Sequence, residues 1–184
     1  MKKLLYVFAA SICLLLAAPK QIDAQIGVRA GLNYSTLTGD ITGVSSQIGY
    51  QFGLTYKMDL SGSLSFTPGL LYSTKGAYDD DFDITYNLDY LEIPLDLNYA
   101  LNDAFAFNFG PYIGYLVSAN DSGVNTNDDY KSLDFGANFG FSYSVSPSTF
   151  GLGYALGLAN IDDTSGGAFK LNNNNFQVYW NYAF

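Results

Sequence analysis

From Asn175 to Phe184 the chain alternates strictly: Phe176, Val178, Trp180, Tyr182 and Phe184 fall on one parity, and Gln177, Tyr179, Asn181 and Ala183 on the other. Side chains in a strand point to opposite faces in turn, so this stretch is a strand with one aromatic face and one small or polar face. The same period of two recurs upstream. It predicts strands over Ile26–Tyr34, Gln47–Met58, Ser63–Thr74, Leu88–Tyr99, Ala104–Val117, Leu133–Val145 and Phe150–Leu158, which makes eight with the last. In each, one parity is rich in Leu, Ile, Phe and Tyr, and the other in Gly, Ser, Thr and Asn. Strands of about 9–11 residues suit a tilted crossing of a bilayer, and bacterial barrels have even strand numbers.

The connections alternate in length. Residues 59–62, 101–103 and 146–148 read as tight turns, because they are rich in Asp, Asn, Ser, Gly and Pro. Residues 35–46, 75–87, 118–132 and 160–174 read as longer polar loops. Short turns on the periplasmic side and long loops outside are the pattern of outer-membrane barrels. Aromatic residues collect near both predicted rims, as amphipathic rings do at membrane interfaces. Alternation alone does not say which face points outward. A soluble barrel would turn the Gly, Ser and Asn parity to water, giving a surface almost without Lys or Glu and prone to aggregate. As the interior of a narrow barrel the same parity makes sense, since eight strands enclose only enough room for side chains. The expected fold is therefore an all-β, eight-stranded antiparallel up-and-down transmembrane β-barrel over residues 25–184, in the outer membrane.

Residues 1–24 are expected to be a cleaved signal peptide. Lys2 and Lys3 precede an apolar run from Leu4 to Ala18, and Ala24 offers a small residue before Gln25. That run is shorter than the ~20 apolar residues of a spanning helix. Cys13 lies inside it behind Ile12, where a lipoprotein signal would place a small residue, so no lipid anchor is read. Removing the leader leaves 5 basic and 16 acidic residues, a net charge of −11, and no cysteine. Such a chain is a poor partner for nucleic acid, whose phosphates call for basic patches. Charged residues make up 14% of the sequence, against roughly 25% in soluble domains.

Three segments carry a family likeness: Gly27–Asn33, Tyr90–Leu95 (Tyr-Leu-Glu-Ile-Pro-Leu) and Gly157–Ile161. Together they resemble the PorT-like outer-membrane β-barrel family over nearly the whole chain after the leader. The resemblance implies an eight-stranded outer-membrane barrel. It also implies that some relatives assist a protein secretion and gliding apparatus, a role that no residue here selects.

Candidate chemistry is sparse. The chain has no histidine, which removes Ser-His hydrolysis and most zinc sites. No enzyme, cofactor or metal site is expected. The acidic run Asp79–Asp83 lacks the spacing of a calcium loop and reads as a solvated rim. The inward parity carries Arg29, Lys57, Glu92, Asp96 and Asp134, expected to form a lumen charge cluster that plugs the barrel rather than lines a pore. Arg29 and Asp96 should lie at similar depth across the lumen, with Glu92 as a second candidate partner. Trp180, Tyr182 and Phe184 are expected to serve as an assembly signal read by the barrel-assembly machinery, and as a lipid-facing seam. The expected role is structural or interactive, with a protein partner at the loops or the periplasmic face and a monomeric barrel in outer-membrane lipid. The alternatives are a small-solute transport barrel and an accessory barrel of a secretion apparatus.

Overall fold

The computed structural model describes residues 24–164, 166 and 168–184, so the expected signal segment lies outside the described residues except for Ala24. Strands run in chain order as β1 (Ala24–Gly39), β2 (Val44–Ser61), β3 (Leu64–Asp79), β4 (Ile84–Ala100), β5 (Phe105–Asp121), β6 (Val124–Asn125), β7 (Leu133–Val145), β8 (Ser148–Gly157) and β9 (Leu171–Ala183). Eight of them pair antiparallel in sequence around a closed barrel, and β6 is a two-residue extension hydrogen-bonded to the end of β5. Closure comes from β1 against β9, in register from Gly27↔Ala183 to Gly39↔Leu171. The Phe184 amide donates to the Ile26 carbonyl at 2.9 Å. With no free sheet edge, the backbone donors and acceptors of the wall are satisfied within the wall, which is the condition for crossing a bilayer with strands.

The expected parity holds around the barrel. Leu32, Ile48, Leu54, Phe135, Phe141, Leu152 and their neighbours form an exposed apolar belt. Gln51, Thr55, Ser73, Asn108, Gln177 and Tyr179 point inward and are buried. Aromatic pairs bridge adjacent strands on the belt, such as Phe105 with Tyr143 at 5.0 Å between ring centroids and Phe52 with Tyr72 at 5.5 Å.

The strands run further toward the long-loop end than the alternation predicts. Residues 35–39, 75–79, 84–87, 118–121 and 171–174 were expected in loops and are strand. The reason is a change of phase in the pattern. Above Tyr34, Tyr72 and Phe176 the outward positions become polar: Thr36, Thr38, Asn87, Asp89, Asn172 and Asn174. Side-chain bonds cross strands on this face: Thr74 donates to Asp89 (2.8 Å) and Asn174 to Thr38 (2.9 Å). Over the same stretch the inward positions become apolar: Leu37, Ala77, Leu88, Leu116, Ala119 and Leu171 are buried. A membrane barrel with a polar interior thus continues as a water-facing barrel with an apolar interior. A bulge places Asp89 opposite Ser118 and Tyr90 opposite Leu116, so Val117 is unmatched. That extra residue brings both Leu116 and Ala119 inward.

This upper section is capped from above. Tyr130, Ala159 and Ile161, from the two longest connections, pack on Leu37, Leu88, Leu116 and Leu171 in one apolar cluster, with Ile161 fully buried. The connections are tied to each other by a bridge between Tyr130 and Asp162 and by backbone bonds from Lys131 to Ile161 (2.8 Å) and from Asp163 to Asp129 (3.0 Å). At this end burial, with Asp129 nearby, raises the Asp121 carboxyl above its usual range.

Adjacent residues of β1 test the change of phase. Leu37→Ala should lower unfolding stability by about 2–5 kcal/mol, as for a buried leucine. Thr36→Ala on the outer face should stay within about 0.5 kcal/mol. Urea titration of the barrel in lipid, followed by tryptophan fluorescence, measures both.

Candidate functional site

Below the apolar cap the lumen is filled in layers, and each layer is set by the inward parity of several strands. The first is charged. Lys75 of β3 is fully buried, with its Nζ 2.5 Å from Glu92 Oε2 of β4 and 3.6 Å from Asp134 Oδ2 of β7. Asp134 also accepts from Tyr112 Oη (3.3 Å) and Asn173 Nδ2 (3.1 Å), and Asn173 Nδ2 donates to Tyr90 Oη at 3.0 Å. The ammonium lies 4.3 Å from the centre of the Tyr112 ring and 5.4 Å from that of Tyr90. Glycines make the room: a Cβ on Gly136 would meet the Tyr112 ring at 2.6 Å, and one on Gly114 would lie 3.2 Å from Tyr90. Two carboxylates and two ring faces therefore enclose one ammonium, and a carboxamide holds one of the carboxylates. An ion buried this deeply persists only with such partners.

The second layer is neutral. Asn33 Nδ2 donates to Ser73 Oγ (3.0 Å) and the Thr74 carbonyl (2.9 Å). Gln51 Nε2 reaches Asn33 Oδ1 (3.2 Å) and Gln177 Oε1 (3.3 Å), tying β1, β2, β3 and β9 together through side chains. The third layer holds Arg29, whose Nη1 is 3.5 Å from Asp96 Oδ2. Asn138 Nδ2 donates to the other Asp96 oxygen at 3.2 Å. The guanidinium lies 4.3 Å from the Tyr179 ring centre, and that ring also presses on Gly151, where a Cβ would come within 2.0 Å. Beneath Arg29 the lumen opens into a polar vestibule of about 710 Å³ at the short-turn end.

The expected charge cluster is thus divided. Arg29 and Asp96 meet across the lumen at the same depth. Glu92, expected as a second partner of Arg29, turns to Lys75 instead, and Asp134 joins it there. Lys57 was expected inside the plug. It stands at the vestibule mouth, 47% exposed, 3.4 Å from Asp59, because β2 at that depth has reached the rim. Lys75 was missed because residues 75–87 read as loop. Its parity with Leu71 and Ser73, carried two residues further, would have placed it on the same inward face as Glu92.

Trp180, Tyr182 and Phe184 lie on the outer face in a run of ring contacts, 5.9 Å and then 5.5 Å between centroids. Trp180 Nε1 donates to Ser148 Oγ at 3.1 Å. In the acidic run, Asp79 Oδ1 accepts from the amides of Asp81 (3.0 Å) and Phe82 (3.1 Å), Asp80 bonds Ser45, and Asp83 accepts from Tyr78 Oη at 2.5 Å. The carboxylates of Asp79, Asp80 and Asp83 are used within the rim. Among the described residues, no group of three or more Cys, Asp or Glu side chains is arranged to hold a metal ion.

An apolar belt around a closed eight-stranded wall, with charged side chains at belt height turned into the lumen, defines a transmembrane barrel of the outer membrane. Residues 17–163 match the family model for the outer membrane protein beta-barrel domain, and the chain belongs to that family. Among solved structures it is similar to Neisserial surface protein A (14% identity, TM-score 0.58, 88% of this chain and 99% of that one). It is also similar to Ail, the attachment invasion locus protein of Yersinia pestis (10% identity, TM-score 0.50, again 88% and 99%). At such identities the likeness is one of fold. A comparison with curated proteins found no match.

Removing Lys75 should cost more than removing either carboxylate, since it leaves two buried anions without a counter-ion. Lys75→Met should destabilise by about 3–5 kcal/mol, and adding Glu92→Gln should recover part of that. At the lower pair, Arg29→Ala should be strongly destabilising, with partial recovery on adding Asp96→Asn. Double-mutant cycles from urea unfolding read both couplings. A zero coupling for Arg29 and Asp96 would reduce that pair to a solvated contact.

Proposed function

We propose that the protein is a closed-lumen barrel that acts through its two ends, as a structural or interaction protein of the outer membrane, without catalysis and without passing solute. The observation that carries this is the lumen filling. The Lys75–Glu92–Asp134 layer and the apolar cap beneath Ile161 occupy the full section of a barrel that is narrow to begin with. A transport role would need both to move. The outer end presents acidic connections, and the inner end presents the vestibule, so partners would be met on either face. In this reading the barrel is a monomer in outer-membrane lipid. Purified protein in planar bilayers should show no steady conductance; a sustained nanosiemens-scale current would overturn the reading in favour of transport.

Kinship with the PorT-like branch belongs to the same proposal, and the structure lends its most specific segment a physical sense. In Leu91–Leu95 the alternate residues Leu91, Ile93 and Leu95 face outward, while Glu92 reaches Lys75. Service to a secretion apparatus would then use the barrel as an anchor, with contacts at its ends.

The leader over residues 1–24 and recognition of Trp180, Tyr182 and Phe184 by the assembly machinery complete the proposal. The Phe184 amide closes the β1–β9 seam on Ile26, and its ring continues the outer aromatic run. Deleting Phe184 should lower the fraction of protein that shows heat-modifiable migration in outer-membrane preparations. Normal insertion of the truncated chain would remove the terminal residue from that role.

A further inference from the structure

The hairpin of β3 and β4 ends in water, not in lipid. β3 continues from Tyr72 to Asp79, roughly 20 Å along the strand at ~3.3 Å per residue. Thr74, Asp89 and Asn87 face outward over that distance, so the bilayer stops below the tip. Phe82, at the tip, is nevertheless 74% exposed, and Val124, on the adjoining tip of β5 and β6, is 65% exposed. The two tips are locked side by side: the Ser122 amide donates to the Thr85 carbonyl (3.0 Å), and the Thr85 amide to Ser122 Oγ (2.9 Å). Phe82 is also held in a fixed turn, because Asp79 Oδ1 accepts from the amides of Asp81 and Phe82 (3.0 and 3.1 Å). Apolar side chains shown to water on a rigid turn gain by being covered, and little ordering entropy opposes it.

The surroundings decide what can cover them. Residues 79–87 and 121–129 hold seven aspartates and no lysine or arginine. Lys131, the next basic residue along the chain, turns its Nζ to the Asn160 carbonyl (3.3 Å). Asp80 and Asp83 bond to neutral hydroxyls, those of Ser45 and Tyr78, which do not offset their charge. The field reaches Tyr78, whose hydroxyl is held above its ordinary range chiefly by the bond to Asp83 and further by the charges of Asp80 and Asp79. An anionic polymer is therefore repelled. A metal ion is poorly served, since among the described residues no three acidic side chains are arranged to hold one. What suits an aromatic ring flanked by carboxylates is a guanidinium. It is flat enough to lie on the ring while its edge donates two hydrogen bonds to a carboxylate. An ammonium has no such face.

We propose that the paired tips of β3–β4 and β5–β6 are a docking surface for an arginine-rich segment of another protein. Phe82 lies under a guanidinium, the flanking Asp81 and Asp83 meet its edge, and Val124 takes a neighbouring apolar side chain. This rests on the reading of a closed barrel that acts through its ends, and it names the chemistry of the partner at the outer one.

The test is calorimetric titration of the barrel in phosphatidylcholine nanodiscs, with empty discs as the blank. The probes are acetyl-Gly-Arg-Leu-Arg-Gly-Arg-amide and the same peptide with lysine at each arginine. The arginine peptide should bind saturably and more tightly than the lysine peptide. Phe82→Ser should weaken the arginine peptide about fivefold and bring the two peptides level. Asp81→Asn should weaken both, and binding should fade in about 0.5 M salt. Both side chains are exposed, so each variant should keep its heat-modifiable migration. No saturable binding beyond the blank, equal affinity for the two peptides, affinity unchanged by Phe82→Ser, or displacement of the peptide by equimolar calcium would each overturn the proposal. A conducting barrel that still prefers the arginine peptide would sink the closed-lumen reading alone. A silent barrel that ignores the peptide would sink only this surface.

Discussion

Everything inside this barrel depends on one electrostatic constraint: a charge on the inner face of a narrow cylinder must be answered by opposite charge on that same inner face. Lys75 has no route to water and takes both Glu92 and Asp134. Those contacts fix the relative heights of β3, β4 and β7, and through Asn173 they also fix β9. Arg29 does the same lower down, joining β1 to β4 through Asp96 and to β9 through Tyr179. Wall hydrogen bonds join only neighbouring strands. The contacts Lys75–Asp134, Arg29–Asp96 and Asn173–Asp134 join strands that are not neighbours, so they hold the section of the barrel in shape. The glycines opposite Tyr112 and Tyr179 belong to the same arrangement, since the long side chains need the space that a Cβ would fill.

Much of this was legible in the sequence, and what was not failed for a physical reason. Parity gave the eight strands, their order, the outward belt and the inward position of Arg29 and Asp96. A period of two is strong evidence wherever one face meets lipid and the other does not. It misled at the long-loop end, where the solvent outside the barrel changes from lipid to water. There the outward residues become Thr36, Asn87 and Asn172 while the inward ones become Leu37, Leu88 and Leu171. Period two continues, but its sign reverses, and a reading tuned to one sign ends the strand at the reversal. The loss of Lys75, and with it the correct partner of Glu92, follows from that single error. Lys57 illustrates the converse limit: parity names the face of a residue but says nothing of its depth, and at the rim an inward lysine is already in water.

β9 is a transect of the whole interior. Its inward side chains include Leu171 in the cap, Asn173 in the charged layer, Asn175 below it, Gln177 in the amide layer, Tyr179 against Arg29 and Asn181 in the vestibule wall. One strand thus carries the environment from apolar through charged to wet.

The stapling of the two longest connections bears on how this surface can vary. Residues 129–131 and 159–163 are held by backbone bonds to each other and by Ile161 to the cap, so an insertion or a bulky exchange there would pull on the interior. Gly123 and Gly166 sit at tips where a Cβ would meet nothing, but their φ angles of +96° and +64° favour glycine, so open space does not free them for exchange. Sequence drift is therefore channelled to exposed side chains such as Phe82 and Val124 on a rigid frame. An antibody or other shape-reading molecule on the cell exterior would meet a conformational epitope of fixed outline, decorated at its points with replaceable chemistry, and short linear loop peptides would be poor stand-ins for it.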